Sequence, residues 1–272
     1  MRKTSSRLLE MGVARRLTLL GLFLISGFAA SAHAYTYDQN FETWSTIQSP
    51  PTGWVVGFNN NPNGDQPQWF QGNSGVANPT DIGYAFDAQS GTQNSFAAAM
   101  YRATPDTAPA PGNQISTWIF SPVFTFNNGD TVSYWTRSAT PSTEVYIQDR
   151  MEVRLSTSDA STNIGATWSD VGDFTTILQE INPNLTQGGY PDAWAQYTNT
   201  ISGLSGPTTG RIGFRYFVTD VTNDPFTTQA DYIGLDTFNT TANVVPEPSS
   251  FILMGLGLAA LAYRRRRSGL SN

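Results

Sequence analysis

Most of the side-chain chemistry open to enzymes is closed to this chain. It has no cysteine, one histidine (His33) and one lysine (Lys3), and both of these lie within the first 34 residues. Beyond them there is no imidazole or thiol for a Ser-His-Asp or Cys-His constellation. There is no amine for a Schiff base, and no His/Cys set for zinc or most transition metals. No Gly-rich loop follows a strand pattern to cradle phosphate. Carboxylates remain, and with them glycoside hydrolysis, which needs two carboxyl groups flanking the scissile bond. Glu144, Asp149 and Glu152 are the candidate acids. Glu152, however, falls on the exposed side of an alternating stretch. No Glu-x-Asp-x-x-Glu run is present to aim alternate carboxylates of one strand into a groove. No catalytic residue is assigned.

Binding is the other possibility. The seven tryptophans could include a sugar-stacking platform, although a sandwich of this size needs most of them in its core. Trp69 is the candidate ligand-binding residue, because it lies in a polar stretch, 59–79, rich in Asn, Pro and Gly. In the same stretch Asn59-Asn60-Asn61-Pro62-Asn63-Gly64-Asp65 has the layout of a calcium loop with Asn in place of Asp. Only Asp65 carries charge there, so its affinity for calcium is expected to be poor. Thr107, Thr131, Thr136 and Thr140 lack the regular period of an ice-binding array.

The elements that must position these residues read as strands. Met151, Val153 and Leu155 alternate with Glu152 and Arg154, and Ile212, Phe214, Tyr216 and Val218 with Arg211, Gly213 and Arg215. Period-two alternation marks a half-buried strand. Residues 117–126, 130–137, 174–181, 194–201 and 231–238 read the same way, separated by turn residues such as Asn127-Asn128-Gly129-Asp130. No helical stripe appears outside the termini. The chain is therefore expected to be all-β, a jelly-roll-like β-sandwich over 35–243. Jelly rolls often bring their terminal strands together, so Glu42, near the first strand, and Asp236, near the last, are the best-placed pair for a structural calcium. The alternative is that both simply bond to backbone at the strand ends. From 35 to 243 six arginines face 19 acids, a formal charge of −13. Such a surface repels nucleic acid and anionic headgroups and attracts divalent cations.

Both ends carry handling signals. Residues 1–34 have a basic start, an apolar run over 17–30 and an A-x-A site at Ala32-His33-Ala34. This is the pattern of a secretory signal peptide, with cleavage after Ala34 and export by the ordinary Sec route. Residues 244–272 begin with Val245-Pro246-Glu247-Pro248. Thirteen uncharged residues, 251–263, and then Arg264, Arg265, Arg266 and Arg267 follow. As a helix that run spans roughly 20 Å against a hydrocarbon core of about 30 Å. It predicts a short C-terminal transmembrane helix whose arginine block stops transfer and keeps the C-terminus in the cytoplasm. A plain tail anchor is the alternative to a processed signal, but it has no need of Pro-Glu-Pro.

The tail resembles the PEP-CTERM sorting signal of Gram-negative bacteria, which has the same three parts in the same order. The resemblance implies recognition of Pro246, Glu247 and Pro248 by an exosortase, a membrane cysteine transpeptidase. It further implies transient anchoring in the inner membrane and delivery to the cell surface or an extracellular, exopolysaccharide-rich matrix. A second resemblance spans nearly all of the region between the signals. Asn40-Phe41-Glu42, Gly53-Trp54, Trp69, Trp118-Ile119-Phe120-Ser121-Pro122 and Ala230-Asp231-Tyr232-Ile233-Gly234-Leu235-Asp236 follow one another. In that order they look like a choice-of-anchor J domain, related to cleaved-adhesin and MAM-like jelly rolls, some of which hold structural calcium. Together these features predict a structural or adhesive surface protein without enzymatic activity. The first alternative is a carbohydrate-binding module and the second a carboxylate-dependent glycosidase.

Overall fold

The computed structural model describes residues 37–44, 46, 48–72, 86–105, 112–139, 148–221 and 230–245. Among the described residues thirteen strands form two antiparallel sheets. They are β1 (Tyr37–Gln39), β2 (Val55–Phe58), β3 (Phe70–Gln71), β4 (Ala97–Met100), β5 (Asn113–Phe120), β6 (Phe124–Phe126), β7 (Thr131–Ser138), β8 (Met151–Ser156), β9 (Thr176–Ile181), β10 (Ala195–Thr200), β11 (Thr208–Val221), β12 (Tyr232–Thr240) and β13 (Asn243–Val244). One sheet runs β10-β7-β12-β4-β3, with β1 also on β12. The other runs β13-β6-β11-β5-β2, with β8 on β11 and β9 on β8. Among the described residues no helix is long and apolar enough to cross a membrane. The expected signal and transmembrane helices, Ala32, Ala34, Pro246, Glu247, Pro248 and Arg264 to Arg267 lie outside the described residues, as does Glu144.

Alternation decides the pairing faces. In β7 every second residue is buried, and β10 pairs with it from Ala195↔Thr136 to Thr200↔Thr131. At the turn before β7, Asp130 Oδ2 accepts the Asn127 amide at 2.7 Å and Gly129 takes φ 96°, the left-handed region that suits glycine. The stretch 117–126, expected as one strand, is two. Pro122 has no amide donor, and the chain bends there while Ser121 Oγ accepts the Ile212 amide at 2.9 Å. At the far end β13 pairs Val244 with Phe124, and the Val245 amide reaches Val123 O at 2.9 Å. The sandwich thus runs two residues past the expected boundary at 243.

The main core lies between the sheets, with Trp54, Tyr134, Phe124, Phe214 and Phe238 at its centre. Each sheet also carries an apolar cluster on its outer face. Phe70, Phe86, Phe96 and Ala98 cover one, and Trp118, Phe120, Ile164 and Phe174 the other. This corrects the reading of Glu152 as solvated. It does point outward from β8, but the 157–175 loop crosses that face and leaves it 1% exposed. Its carboxylate is paired with Arg150 at 2.6 Å, Arg154 at 2.7 Å and Arg215 at 3.1 Å. Arg150 also bridges at 2.7 Å to Glu180, the residue opposite Glu152 in the β8–β9 ladder. Burial alone would raise the Glu152 carboxyl, but Arg154, Arg215 and Arg150 outweigh it and hold the group below its ordinary pKa.

Removing one member of a buried ionic group leaves the others uncompensated, at about 3–5 kcal/mol. Glu152→Ala is therefore expected to cost about that much in urea unfolding, with a smaller loss for Glu152→Gln, which keeps a hydrogen-bond acceptor.

Candidate functional site

The expected meeting of the terminal strands is present. Residues 37–39 of β1 pair with 238–240 of β12, Tyr37 opposite Thr240. Past this ladder both strands leave regular geometry. Phe41 has φ 54° and Thr237 φ 48°, and the β12–β7 register shifts between Asp236 and Asn239. Non-glycine residues hold this conformation only where their surroundings enforce it. Phe41 is held by burial edge-on against Trp54 at 4.9 Å and by its amide on Gln39 Oε1 at 2.7 Å.

The two bends turn Glu42 and Asp236 toward one loop, 87–95. Asp236 is completely buried. Its Oδ2 accepts the amides of Gln89 at 2.8 Å and Ser90 at 3.1 Å, and its Oδ1 that of Thr237 at 2.6 Å. Burial pushes its carboxyl up to about 7 despite those amides. Glu42 is exposed, and its Oε1 fills the space a Cβ would need at Gly91, beside Ser95 Oγ. Oxygen atoms crowd this loop. Thr237 Oγ1 donates to Gln89 Oε1 at 2.6 Å and lies 2.8 Å from Ser90 Oγ. Ser95 Oγ contacts Ser90 O at 2.9 Å and Thr92 O at 2.5 Å. The structure thus brings both predicted carboxylates to adjacent residues of one loop, while Asp236 also makes the backbone bonds of the simpler alternative. The loop itself had no sequence signal beyond its run of Ser, Gly and Thr. Among the described residues no three His, Cys, Asp or Glu side chains cluster as a metal site.

Trp69 is not a surface platform. It is fully buried in the inter-sheet core and donates from Nε1 to Thr117 O at 3.2 Å. The polar loop around it misled the reading, because β3 begins at the next residue and draws the indole inward. The Asn-rich loop, expected to bind calcium poorly, has its charge engaged elsewhere. Asp65, its one charge, is paired with Arg102, and Asn60 is buried, accepting from the Ser116 amide at 2.8 Å and donating to Pro67 O at 2.7 Å. What this loop does form is one wall of a cleft of about 400 Å³, facing residues 166–168 and lined by Phe58, Asn61, Asn63 and Trp168 among others. No sequence pattern placed Trp168 there, since the two walls are a hundred residues apart.

Asp149 is also buried, beneath Tyr216. Its Oδ1 accepts the Tyr216 hydroxyl at 2.6 Å and the Asp231 amide at 2.9 Å, while Oδ2 has no hydrogen-bond partner among the described residues. Like Glu152, Asp149 is 1% exposed. Burial raises its carboxyl to about 6, against the opposing effect of those two hydrogen bonds.

Residues 244–267 match the PEP-CTERM protein-sorting motif. No curated protein matches the chain. Among solved structures, the K1 cleaved adhesin domain of Lys-gingipain from Porphyromonas gingivalis W83 is similar at 18% identity, covering 77% of this chain and 99% of its own, with a TM-score of 0.45. The K2 cleaved adhesin domain of Lys-gingipain is similar at 16% identity over 76% and 98%, with a TM-score of 0.45. A family 11 carbohydrate-binding module from Clostridium thermocellum, in complex with a β-1,3-1,4-mixed-linked tetrasaccharide, is similar at 9% identity over 77% and 98%, with a TM-score of 0.34. These comparisons do not single out the choice-of-anchor J family. The chain is thus an all-β two-sheet sandwich with a PEP-CTERM motif at its C-terminus, which marks it as a surface-targeted substrate of exosortase.

A carboxyl whose folded pKa lies above its unfolded value binds more protons in the fold, so stability falls as pH rises between the two values. For Asp149 the window runs from an ordinary 3.8 to about 6. Its full contribution is present below that window and the loss is complete above it. The unfolding free energy from urea titrations is expected to fall there by up to about 1.4 kcal/mol per pH unit on account of Asp149, in addition to a loss of the same sign from Asp236, whose carboxyl is raised to about 7. Asp149→Asn is expected to remove only the Asp149 share.

Proposed function

We propose that the protein is a structural or adhesive component of the extracellular matrix, exported by Sec, held briefly in the inner membrane, and released or re-attached by exosortase. The observation that carries this reading is the PEP-CTERM motif over 244–267. A non-enzymatic role agrees with the described carboxylates, since Glu152 is bound by three guanidiniums and Asp149 lies under Tyr216. Intact-mass analysis of surface-released protein tests the reading. The expected species begins at Tyr35 and lacks Arg264 to Arg267. An arginine block still attached in the matrix fraction would refute the sorting step.

The loop at Glu42 and Asp236 supports a structural calcium as part of the same proposal. Calcium accepts six to eight oxygens, carbonyls and hydroxyls included, so two carboxylates among neutral oxygens suffice. Asp236 offers its carboxylate at Gln89 and Ser90, and Glu42 Oε1 reaches the same loop at Gly91. Binding to the folded state alone adds about 2.7 kcal/mol at a hundred times the dissociation constant. Chelation of the secreted protein is expected to lower its Tm. Glu42→Gln and Asp236→Asn should each abolish the response, whereas a Tm that chelator leaves unmoved would remove calcium from the account.

A second reading is a carbohydrate-binding module. It is favoured by the uncharged, aromatic-bearing cleft between the Asn-rich loop and Trp168.

A further inference from the structure

We propose that this cleft binds a neutral oligosaccharide, with Trp168 as the stacking platform and the Asn61 and Asn63 carboxamides as the hydroxyl-recognising groups. The proposal deepens the carbohydrate-binding reading and rests on it; it does not depend on the sorting reaction.

Both walls are fixed before any ligand arrives. In the first, the Asn59 amide bonds to Ser116 O at 2.9 Å, and Asn61 and Gln114 exchange backbone bonds of 2.8 and 2.9 Å, while Asn60 is held from both ends of its side chain. In the second, Asp170 Oδ2 accepts the amides of Ala166 at 3.0 Å and Thr167 at 2.9 Å. Arg215 donates to Trp168 O, and the indole stacks on Phe217 with centroids 6.2 Å apart and planes at 27°. Asn59 Nδ2 ties the walls together through Gly165 O at 3.0 Å and Thr167 O at 3.4 Å. Rigid walls spare a ligand the entropy of ordering them.

The groups that build the cleft are therefore already engaged, and those left over have one chemistry. Asn61 and Asn63 are exposed, and among the described residues neither carboxamide has a hydrogen-bond partner; nor has Trp168 Nε1. A carboxamide offers two donors and an acceptor, which suits vicinal hydroxyls that both donate and accept. An indole adds an apolar face with a polar edge. None of the lining residues is ionisable. The carboxylates that flank the two walls in sequence are committed, Asp170 to its own turn and Asp65 to Arg102. The cleft has no cation for a phosphate, sulfate or uronate and no carboxylate cluster for a metal, and the chain's acidic balance repels polyanions. Its volume of about 400 Å³ lies within the roughly 300–1,000 Å³ of small-ligand sites.

Affinity electrophoresis tests this. Full-length protein, purified in a zwitterionic detergent so that no glycoside detergent competes, is run through native gels containing galactomannan, mixed-linkage β-glucan, starch or the polyanion alginate. At least one neutral polymer is expected to retard it, and alginate is not. Trp168→Ala is expected to weaken that retardation at least tenfold, with partial recovery in Trp168→Phe. Because Asn61 and Asn63 are exposed, the Asn61→Ala/Asn63→Ala variant provides a second arm independent of folding, and the same loss is expected. Retardation unchanged in both variants would overturn the cleft while leaving the carbohydrate reading standing. No retardation by any neutral polymer would overturn both, and retardation by alginate alone would overturn the neutral ligand.

Discussion

One carboxylate governs the outer face of a whole sheet. A buried charge is costly unless it is paired and hydrogen-bonded, and Glu152 meets that condition through three guanidiniums. The arginines then pass the constraint outward. Arg154 donates to Phe174 O at 3.2 Å, and Arg215 to Ser116 Oγ at 3.0 Å and to Trp168 O. Trp168 and Phe174 both belong to the 157–175 loop, so the loop is fastened to the sheet at two points by groups that answer to one acid. Arg215 also lies over the Trp118 ring at 5.1 Å and the Phe217 ring at 3.6 Å, where cation–π attraction adds to the ion pair. Beneath this cover Trp118, Phe120, Ile164 and Phe174 form a second, buried apolar core.

The opposite sheet solves the same problem with fewer charges. Gly234 leaves room for Phe86 and Trp194 on the outer face of β12. Arg137 lies over Phe86 at 4.3 Å, and Trp194 Nε1 reaches Asp87 O at 2.9 Å. The segment that closes this face is the one that meets Glu42 and Asp236. Each covering loop therefore does two things. It buries an apolar sheet face, and it also supplies part of a polar feature, the oxygen-rich loop near Glu42 and Asp236 on one side and the 166–168 wall of the cleft on the other. With no cysteine in the chain, hydrogen bonds and packing hold both loops in place.

The longer strands were legible because alternation is a local property. β7, β10, β11 and β12 were read within a residue or a few of their ends. β1, β3 and β13 are only two or three residues long and carry too little pattern. The side of the sheet on which Glu152 sits was also legible, but what covers that side was not, because the covering loop has no periodicity of its own. Trp69 failed for a related reason: a polar neighbourhood in sequence says little when the next residue pairs into a sheet. Glu42 and Asp236 reach neighbouring residues of one loop because β1 pairs with β12, a meeting of terminal strands that a jelly roll prescribes. The cleft had no such rule behind it, since Asn61 and Trp168 meet only through the particular path of the 157–175 loop.

The six arginines from residue 35 to 243 are all engaged: Arg102 with Asp65, Arg150, Arg154 and Arg215 with Glu152, Arg137 with Asp192 O, and Arg211 with Gly53 O and Ser121 O. Four of them lie within β7, β8 or β11, and Arg150 directly precedes β8. A trypsin-like protease needs an extended, detachable segment around its basic residue, and strands inside a sheet provide one only when the sheet opens. Since no lysine occurs in this region, cleavage there by such enzymes is tied largely to opening of the sandwich itself. In a layer shared with secreted proteases, the lifetime of the protein would then follow its folding equilibrium more than the accessibility of its surface.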